Sequence, residues 1–262
     1  MDKKNNGPKR REPIDVYLAE LEVHIGVRGL DEDPTFDSSW RRVKEEIESL
    51  KARALGDGLL GFGPRRVLDA DLAREIPRAV RTGSPLALGF VDVDKFGDFN
   101  NRYGHEVGDQ VLIAVGMAIR NSTRPEDYLF RPGGDELAYL LPRADLKGAE
   151  VVARRIKDHM EDYPVKVGDK RIPITLSQGV TYWDPKILRT SVYPGELTPE
   201  IVEGVSSRIL TQADLAAYAC KENGRDGIYA WIGGEPPRNK ELFDALMRER
   251  PDLMQSFLRR VV

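Results

Sequence analysis

Cysteine is almost missing from this chain: Cys220 is the only one in 262 residues. No intrachain disulfide can form, so stability has to come from a packed core, and a reducing cytoplasm is the expected setting. Histidine is scarce as well, and His24, His105 and His159 show no zinc-ligand spacing. The longest apolar run, Val111 to Ile119, is far short of the roughly 20 residues that cross a bilayer. Met1 to Asn6 lack the apolar stretch of a signal peptide, so no membrane association is expected. Strong charge of one sign is absent too. A net charge of −3 argues against a general nucleic-acid surface, while leaving room for a local basic pocket. With 40% hydrophobic and 32% charged residues, the chain has the makeup of a globular domain with appendages.

The pattern divides the chain in three: an N-terminal extension over 1–55, a main domain over 56–232 and a C-terminal helical tail over 233–262. Residues 1–13 are polar and basic, with the composition of a disordered segment. Ile14, Leu18, Leu21 and Ile25 recur at helical spacing. From Ser39 to about Ala54 the apolar positions Trp40, Val43, Ile47, Leu50 and Ala54 form a heptad seam, which suits either a dimerising helix or packing on the neighbouring domain. The stretch Gly56 to Gly63 then breaks the pattern. Beyond it, helices are predicted over Val67–Val80, 107–120, Ala149–Met160 and from about Pro199 or Val205 to Glu222. Strands are predicted at Leu86–Val91, on both sides of Gly133-Gly134, twice within Val165–Trp183 with a turn at Gly168-Asp169, and at Gly227–Trp231. Residues 184–198 read as a surface loop, Pro236-Pro237 as a stop, and 239–260 as one or two amphipathic helices.

Two acidic turns draw attention. Arg131-Pro132-Gly133-Gly134-Asp135-Glu136-Leu137 lies between two apolar, β-prone runs and reads as a tight hairpin with adjacent carboxylates at its tip. Asp92-Val93-Asp94 closes the buried strand upstream. Singly, Asp92 and Asp94 read as a solvated turn. Together with Asp135-Glu136 they favour a metal site in which one or two divalent ions, about 3.5–4 Å apart if two, neutralise a polyphosphate. Asn100 and Asp109 are short polar groups placed to reach a purine edge, where a carboxylate suits the two donors of guanine better than adenine. Lys221 and Arg225 offer cationic donors to phosphates, although basic residues near a helix C-terminus also satisfy its dipole. Arg124-Pro125-Glu126-Asp127 is a short Arg-x-x-Asp pattern at a fixed offset from the glycine pair.

Taken together, Asp92-Val93-Asp94-Lys95-Phe96, Asn100, Gly104-His105, Gly108-Asp109 and Gly133-Gly134-Asp135-Glu136-Leu137 resemble the GGDEF domain, the diguanylate cyclase family. The resemblance opens at Asp57-Gly58-Leu59-Leu60-Gly61 and continues through Thr175 to Val180, Ala213 to Lys221 and Gly224-Arg225, covering roughly 57–232. It implies an α/β (α+β) fold: a βαββαβ core like adenylyl cyclase and polymerase palms, with a central, mainly antiparallel sheet flanked by helices. It also implies condensation of two GTP into cyclic di-GMP and two pyrophosphates by an antiparallel bacterial homodimer, each 3′-hydroxyl attacking the partner's α-phosphate. Two Mg²⁺ or Mn²⁺ per active site are implied, on Asp92, Asp135 and the Val93 carbonyl. Glu136 then helps activate the hydroxyl. Asn100 and Asp109 read guanine, Lys221 and Arg225 bind phosphate, and Phe96 and Gly97 border the GTP. Arg124 and Asp127 would form a product-inhibition site, with Arg155 the candidate to complete it from a neighbouring subunit.

The chain departs from the family pattern at Gly97, where a lysine is usual, and at Leu137, Leu60 and Asn101, where phenylalanine, threonine and aspartate are usual. Gly97 points to weakened triphosphate binding, with Lys95, two residues earlier, the candidate substitute. It keeps open a second reading, a non-enzymatic receptor for cyclic di-GMP or GTP. A third, a cyclase for another cyclic dinucleotide, is opposed by Asp109. The terminal helices offer a surface for a protein partner.

Overall fold

The computed structural model describes residues 57–167, 170–186, 197–237 and 240–262. The helices expected near Ile14–Ile25 and Ser39–Ala54, the disordered start, the turn at Gly168-Asp169 and most of the loop over 184–198 lie outside the described residues.

Leu86–Val93 (β1) is apolar along nearly its whole length and almost entirely buried, as a strand covered on both faces must be. It takes Glu136–Pro142 (β3) on one side and Leu176–Trp183 (β6) on the other, both antiparallel. Tyr128–Phe130 (β2) pairs outside β3, and Gly227–Trp231 (β7) runs parallel to β6. The order in the main sheet is β2-β3-β1-β6-β7, continued by the short strand Leu258–Arg260 (β8). Val165–Val167 (β4) and Lys170–Ile172 (β5) form a separate ribbon, so Val165–Trp183 holds three strands where two are expected from sequence.

Alternation along β3 divides the core in two. Leu137, Tyr139 and Leu141 face His105–Ser122 (α3) and Leu146–Asp162 (α4), while Ala138 and Leu140 face Arg65–Thr82 (α1) and Pro199–Glu222 (α5). Leu137, where the family usually has phenylalanine, is fully buried. Two glycines permit the closest approaches. Gly89 stands opposite Tyr139, where a Cβ would lie 2.1 Å from the ring. On β6, a Cβ at Gly179 would lie 2.2 Å from both Ala213 O and Ala217 N, so α5 seats with its backbone directly on the sheet.

Two elements are not legible from periodicity. Phe96–Tyr103 (α2) is a helix of its own, separated from α3 by Gly104 at φ 86°. The C-terminal segment forms Lys240–Glu249 (α6) and Pro251–Phe257 (α7), and then returns to the sheet. Leu258–Arg260 (β8) pairs antiparallel with β7 as the sixth strand.

Candidate active site

The sheet register assembles the acidic residues. Asp92 lies opposite Glu136 on β3 and Ser177 on β6, and Asp135 precedes β3 by one residue. The seat of α5 on Gly179 brings its last turn to the same end of the sheet, and Lys221 Nζ stands 2.6 Å from Asp92 Oδ2. Burial raises the Asp92 carboxyl to about 6. Its hydrogen bond to Lys221 and the ammonium charge hold it down, whereas the charges of Asp135 and Glu136 push it up.

This donor set suits a divalent cation. Among the described residues no three or more His, Cys, Asp or Glu side chains gather closely enough to cage an ion. Mg²⁺ does not require such a cage: one or two carboxylates, water and substrate oxygens are its usual shell. Asp92 and Asp135, with the Val93 carbonyl between the acidic pair, supply that number. Their mutual repulsion is a cost that a cation removes. The Val93 N–H donates to Asp135 O at 3.4 Å, joining the loop to the strand end.

Asp94 has a different task. Its Oδ1 accepts from Ser177 Oγ at 2.6 Å, and its Oδ2 accepts from Thr175 Oγ1 at 2.8 Å and from the Asp226 N–H at 3.0 Å. With both oxygens occupied, it is a structural tie between β1, β6 and the turn after α5.

The glycine loop is wider than a tight hairpin. Phe130 pairs with Ala138, leaving seven residues between them, and neither Gly133 nor Gly134 has a positive φ. A primed two-residue turn is therefore ruled out, because those turns require positive φ. Arg131 shapes the loop instead. Its Nε and Nη2 donate to Gly134 O at 3.1 and 2.6 Å, and its Nη1 donates to Asp57 Oδ2 at 2.7 Å. The other Asp57 oxygen caps Leu59 N and Leu60 N at 3.1 and 2.7 Å. Nothing in the local sequence pattern marks Arg131 and Asp57 for this role, although both lie in glycine-containing motifs. Glu136 folds back over Gly133, where a Cβ would be 2.7 Å from Oε2, while the space around Gly134 is open.

Asn100 and Asp109 sit on the α2–α3 corner. A Cβ on Gly108 would fall 1.8 Å from Asn100 Oδ1 and 3.3 Å from Phe96 Cζ, so Gly108 is what lets α2 close on α3. That Asn100 oxygen is buried and, among the described residues, accepts no hydrogen bond, which a buried acceptor seldom goes without. Asp109 follows Gly108 directly and is exposed. Gly97 is exposed on the first turn of α2, with open space around its Cα. Lys95 caps that helix in the left-handed region, at φ 56°.

Arg225 is exposed in the turn between α5 and β7. The Arg124-x-x-Asp127 motif lies elsewhere, beyond the far end of α3, whose 18 residues span about 27 Å. There Arg124 N–H donates to Asp127 Oδ2 at 2.7 Å and Asp127 N–H to Arg124 O at 3.0 Å. Burial raises the Asp127 carboxyl, against the hydrogen bond and charge of Arg124. Both residues border a cleft of about 700 Å³, together with Asp71, Glu75, Arg78 and Tyr128. Arg155 is exposed on α4 and, among the described residues, makes no hydrogen bond or ion pair with either of them.

Comparisons with known proteins place this sheet and its acidic end in a family. Residues 54–191 match the family "Diguanylate cyclase, GGDEF domain", and the chain belongs to it. Diguanylate cyclase DosC of Escherichia coli K12 is 32% identical over 191 residues, which cover 72% of this chain and 38% of that protein. Diguanylate cyclase TpbB of Pseudomonas aeruginosa is 34% identical over 190 residues, 71% of this chain and 40% of that one. The chain thus matches about two fifths of the length of these curated relatives. Among solved structures, diguanylate cyclase SiaD with its activator SiaC, from Pseudomonas aeruginosa, has a TM-score of 0.58 at 29% identity. That match covers 83% of this chain and 77% of SiaD. The GGDEF domain of DgcB from Caulobacter crescentus, in complex with c-di-GMP, gives 0.57 at 27%, covering 68% and 93%.

Proposed function

We propose that this chain is a diguanylate cyclase: it joins two GTP molecules into cyclic di-GMP and releases two pyrophosphates. The observation that carries the reading is the convergence of Asp92, Asp135, Glu136 and Lys221 on one end of the central sheet, with the unpartnered Asn100 oxygen on the adjoining helical corner.

In this reading Asn100 Oδ1 and Asp109 accept from the N–H groups of guanine, a pattern adenine does not offer. Lys221 and Arg225 bind the triphosphate, and the open space at Gly134 lets it lie against the loop backbone. Asp92, Asp135 and the Val93 carbonyl hold the divalent cations, Mg²⁺ or Mn²⁺. When bound, these neutralise the triphosphate and stabilise the departing pyrophosphate. Glu136 helps deprotonate the 3′-hydroxyl, whose oxygen bonds to the partner's α-phosphorus as the bond to pyrophosphate breaks. One site holds one GTP, so two protomers must face each other, and the working unit is a homodimer in the cytoplasm. Arg124 and Asp127 bind the product across a solvated cleft and slow turnover from a distance.

Gly97 favours a second reading, a receptor that binds the nucleotide without turning it over. Pyrophosphate release from GTP separates the two. Under the cyclase reading it requires a divalent cation and is abolished in Asp135→Ala while the fold persists. Cation-independent release, or release retained in Asp135→Ala, means that the assigned site is wrong.

A further inference from the structure

Arg225 is presented by a turn that side chains disfavour. Arg225 at φ 64° and Asp226 at φ 47° are consecutive non-glycine residues in the left-handed region, and Gly224 precedes them at φ 104°. Such geometry persists only where its surroundings over-determine it. Here the Arg225 N–H donates to Cys220 O at 2.9 Å, and the Asp226 N–H donates to Asp94 Oδ2 at 3.0 Å. The Asp226 side chain is held by Lys157 of α4, whose ammonium donates to Asp226 Oδ1 and also pairs with Glu161 Oε1 at 2.9 Å.

Lys157 is not a surface lysine that happens to meet an acid. Its side chain is only 12% exposed, although it lies 69 positions from Asp226 in sequence. One turn earlier on α4, Arg154 Nη2 donates to Val261 O at 2.8 Å. Val261 and Val262 in turn bond the main chain of Ile228, with Val261 N to Ile228 O at 2.8 Å and Ile228 N to Val262 O at 3.2 Å. One face of α4 therefore braces the phosphate turn and the strand leaving it. Asp94, bonded to Thr175 and Ser177, anchors the turn to the strand that carries Asp92.

We propose that Lys157 is a positioning residue for nucleotide phosphate: by holding Asp226 against Asp94, it fixes the left-handed turn that sets Arg225 beside the acidic strand end. The proposal rests on the reading of Arg225 as a phosphate ligand. Lys157 touches no substrate itself and acts through Asp226.

The experiment compares Mg·GTP binding and steady-state turnover for the unmodified protein, Lys157→Met, Asp226→Asn and the double variant. Each single change should weaken Mg·GTP binding and raise KM by roughly tenfold, with kcat within about twofold. The double variant should be no weaker than the weaker single variant, because both remove the same restraint. Lys157→Arg should recover most of the affinity. Asp226→Gly covers the case in which Lys157→Met fails to fold. Glycine accepts the left-handed turn at no steric cost, so this variant should stay folded and still bind Mg·GTP weakly. Unchanged binding in a folded single variant, or additive losses in the double variant, would overturn the proposal. If the unmodified protein does not bind Mg·GTP at all, the nucleotide reading and this proposal both fall. Binding by the unmodified protein with equal binding by the variants removes only the proposal.

Discussion

Lys221 Nζ lies 2.6 Å from Asp92 Oδ2, an ion pair between the last turn of α5 and the end of the central strand. The two groups are also assigned to different parts of one ligand, Lys221 to phosphate and Asp92 to metal. Under the proposed function, binding metal–GTP exchanges this pair for two new ones. Removing the lysine should consequently have opposite effects on the cation and the nucleotide. In Lys221→Met, Mg²⁺ alone should bind severalfold more tightly, because a positive charge is gone from beside Asp92. Mg·GTP should bind more weakly. Calorimetric titration of each ligand reads both effects, and a parallel loss of both would mean that Lys221 serves only to hold the fold.

The Asp92 carboxyl gives a pH dependence. Its folded value of about 6 exceeds the ordinary 3.8, so folding favours its protonated form. That contribution is complete below about 3.8 and is lost as pH rises through about 6. Asp92→Asn keeps a neutral group at every pH. Without divalent cations its melting temperature should exceed that of the unmodified protein at pH 8, with the gap closing towards pH 5. Thermal melts across this range check it, and a gap that widens on acidification contradicts the sign.

Gly97 can be tested by restoring the residue usual in the family. Its Cα has open space around it and no left-handed φ, so a lysine side chain enters at little steric cost. Gly97→Lys should lower the KM for GTP by severalfold with little change in melting temperature. An unchanged KM would show that the phosphates lie out of reach of α2.

Arg124 lies beyond the opposite end of α3 from Asp109, so its loss should leave the initial rate intact. Arg124→Ala should instead extend the linear phase of the progress curve, by removing product inhibition. Initial-rate assays with added cyclic di-GMP test this, and an unchanged inhibition curve would clear Arg124 and Asp127 of the role.

Much of this architecture is legible in the chain because it is written in local patterns. The apolar runs of β1 and β3 and the ordered acidic and glycine motifs locate the strands and name the family. What escapes is whatever depends on distant side chains. The seven-residue loop looks like a tight hairpin until Arg131 is seen bridging Gly134 and Asp57. Asp94 looks equivalent to Asp92 until Thr175, Ser177 and Asp226 take up its lone pairs. Three residues of β8 carry too little pattern to announce a strand, and their pairing with β7 supplies what the sequence does not. Lys157 gives no signal at all, since a lysine in a helix ordinarily points to water.

Identifying the product decides whether this chain condenses GTP. Purified protein is incubated with Mg²⁺ and GTP, or with Mg²⁺ and ATP, and the nucleotides are separated and weighed by mass spectrometry. Cyclic di-GMP is expected from GTP with two pyrophosphates per product, and no cyclic dinucleotide from ATP. GTP that binds but remains unconverted at high protein concentration, or equal conversion of ATP, would contradict it.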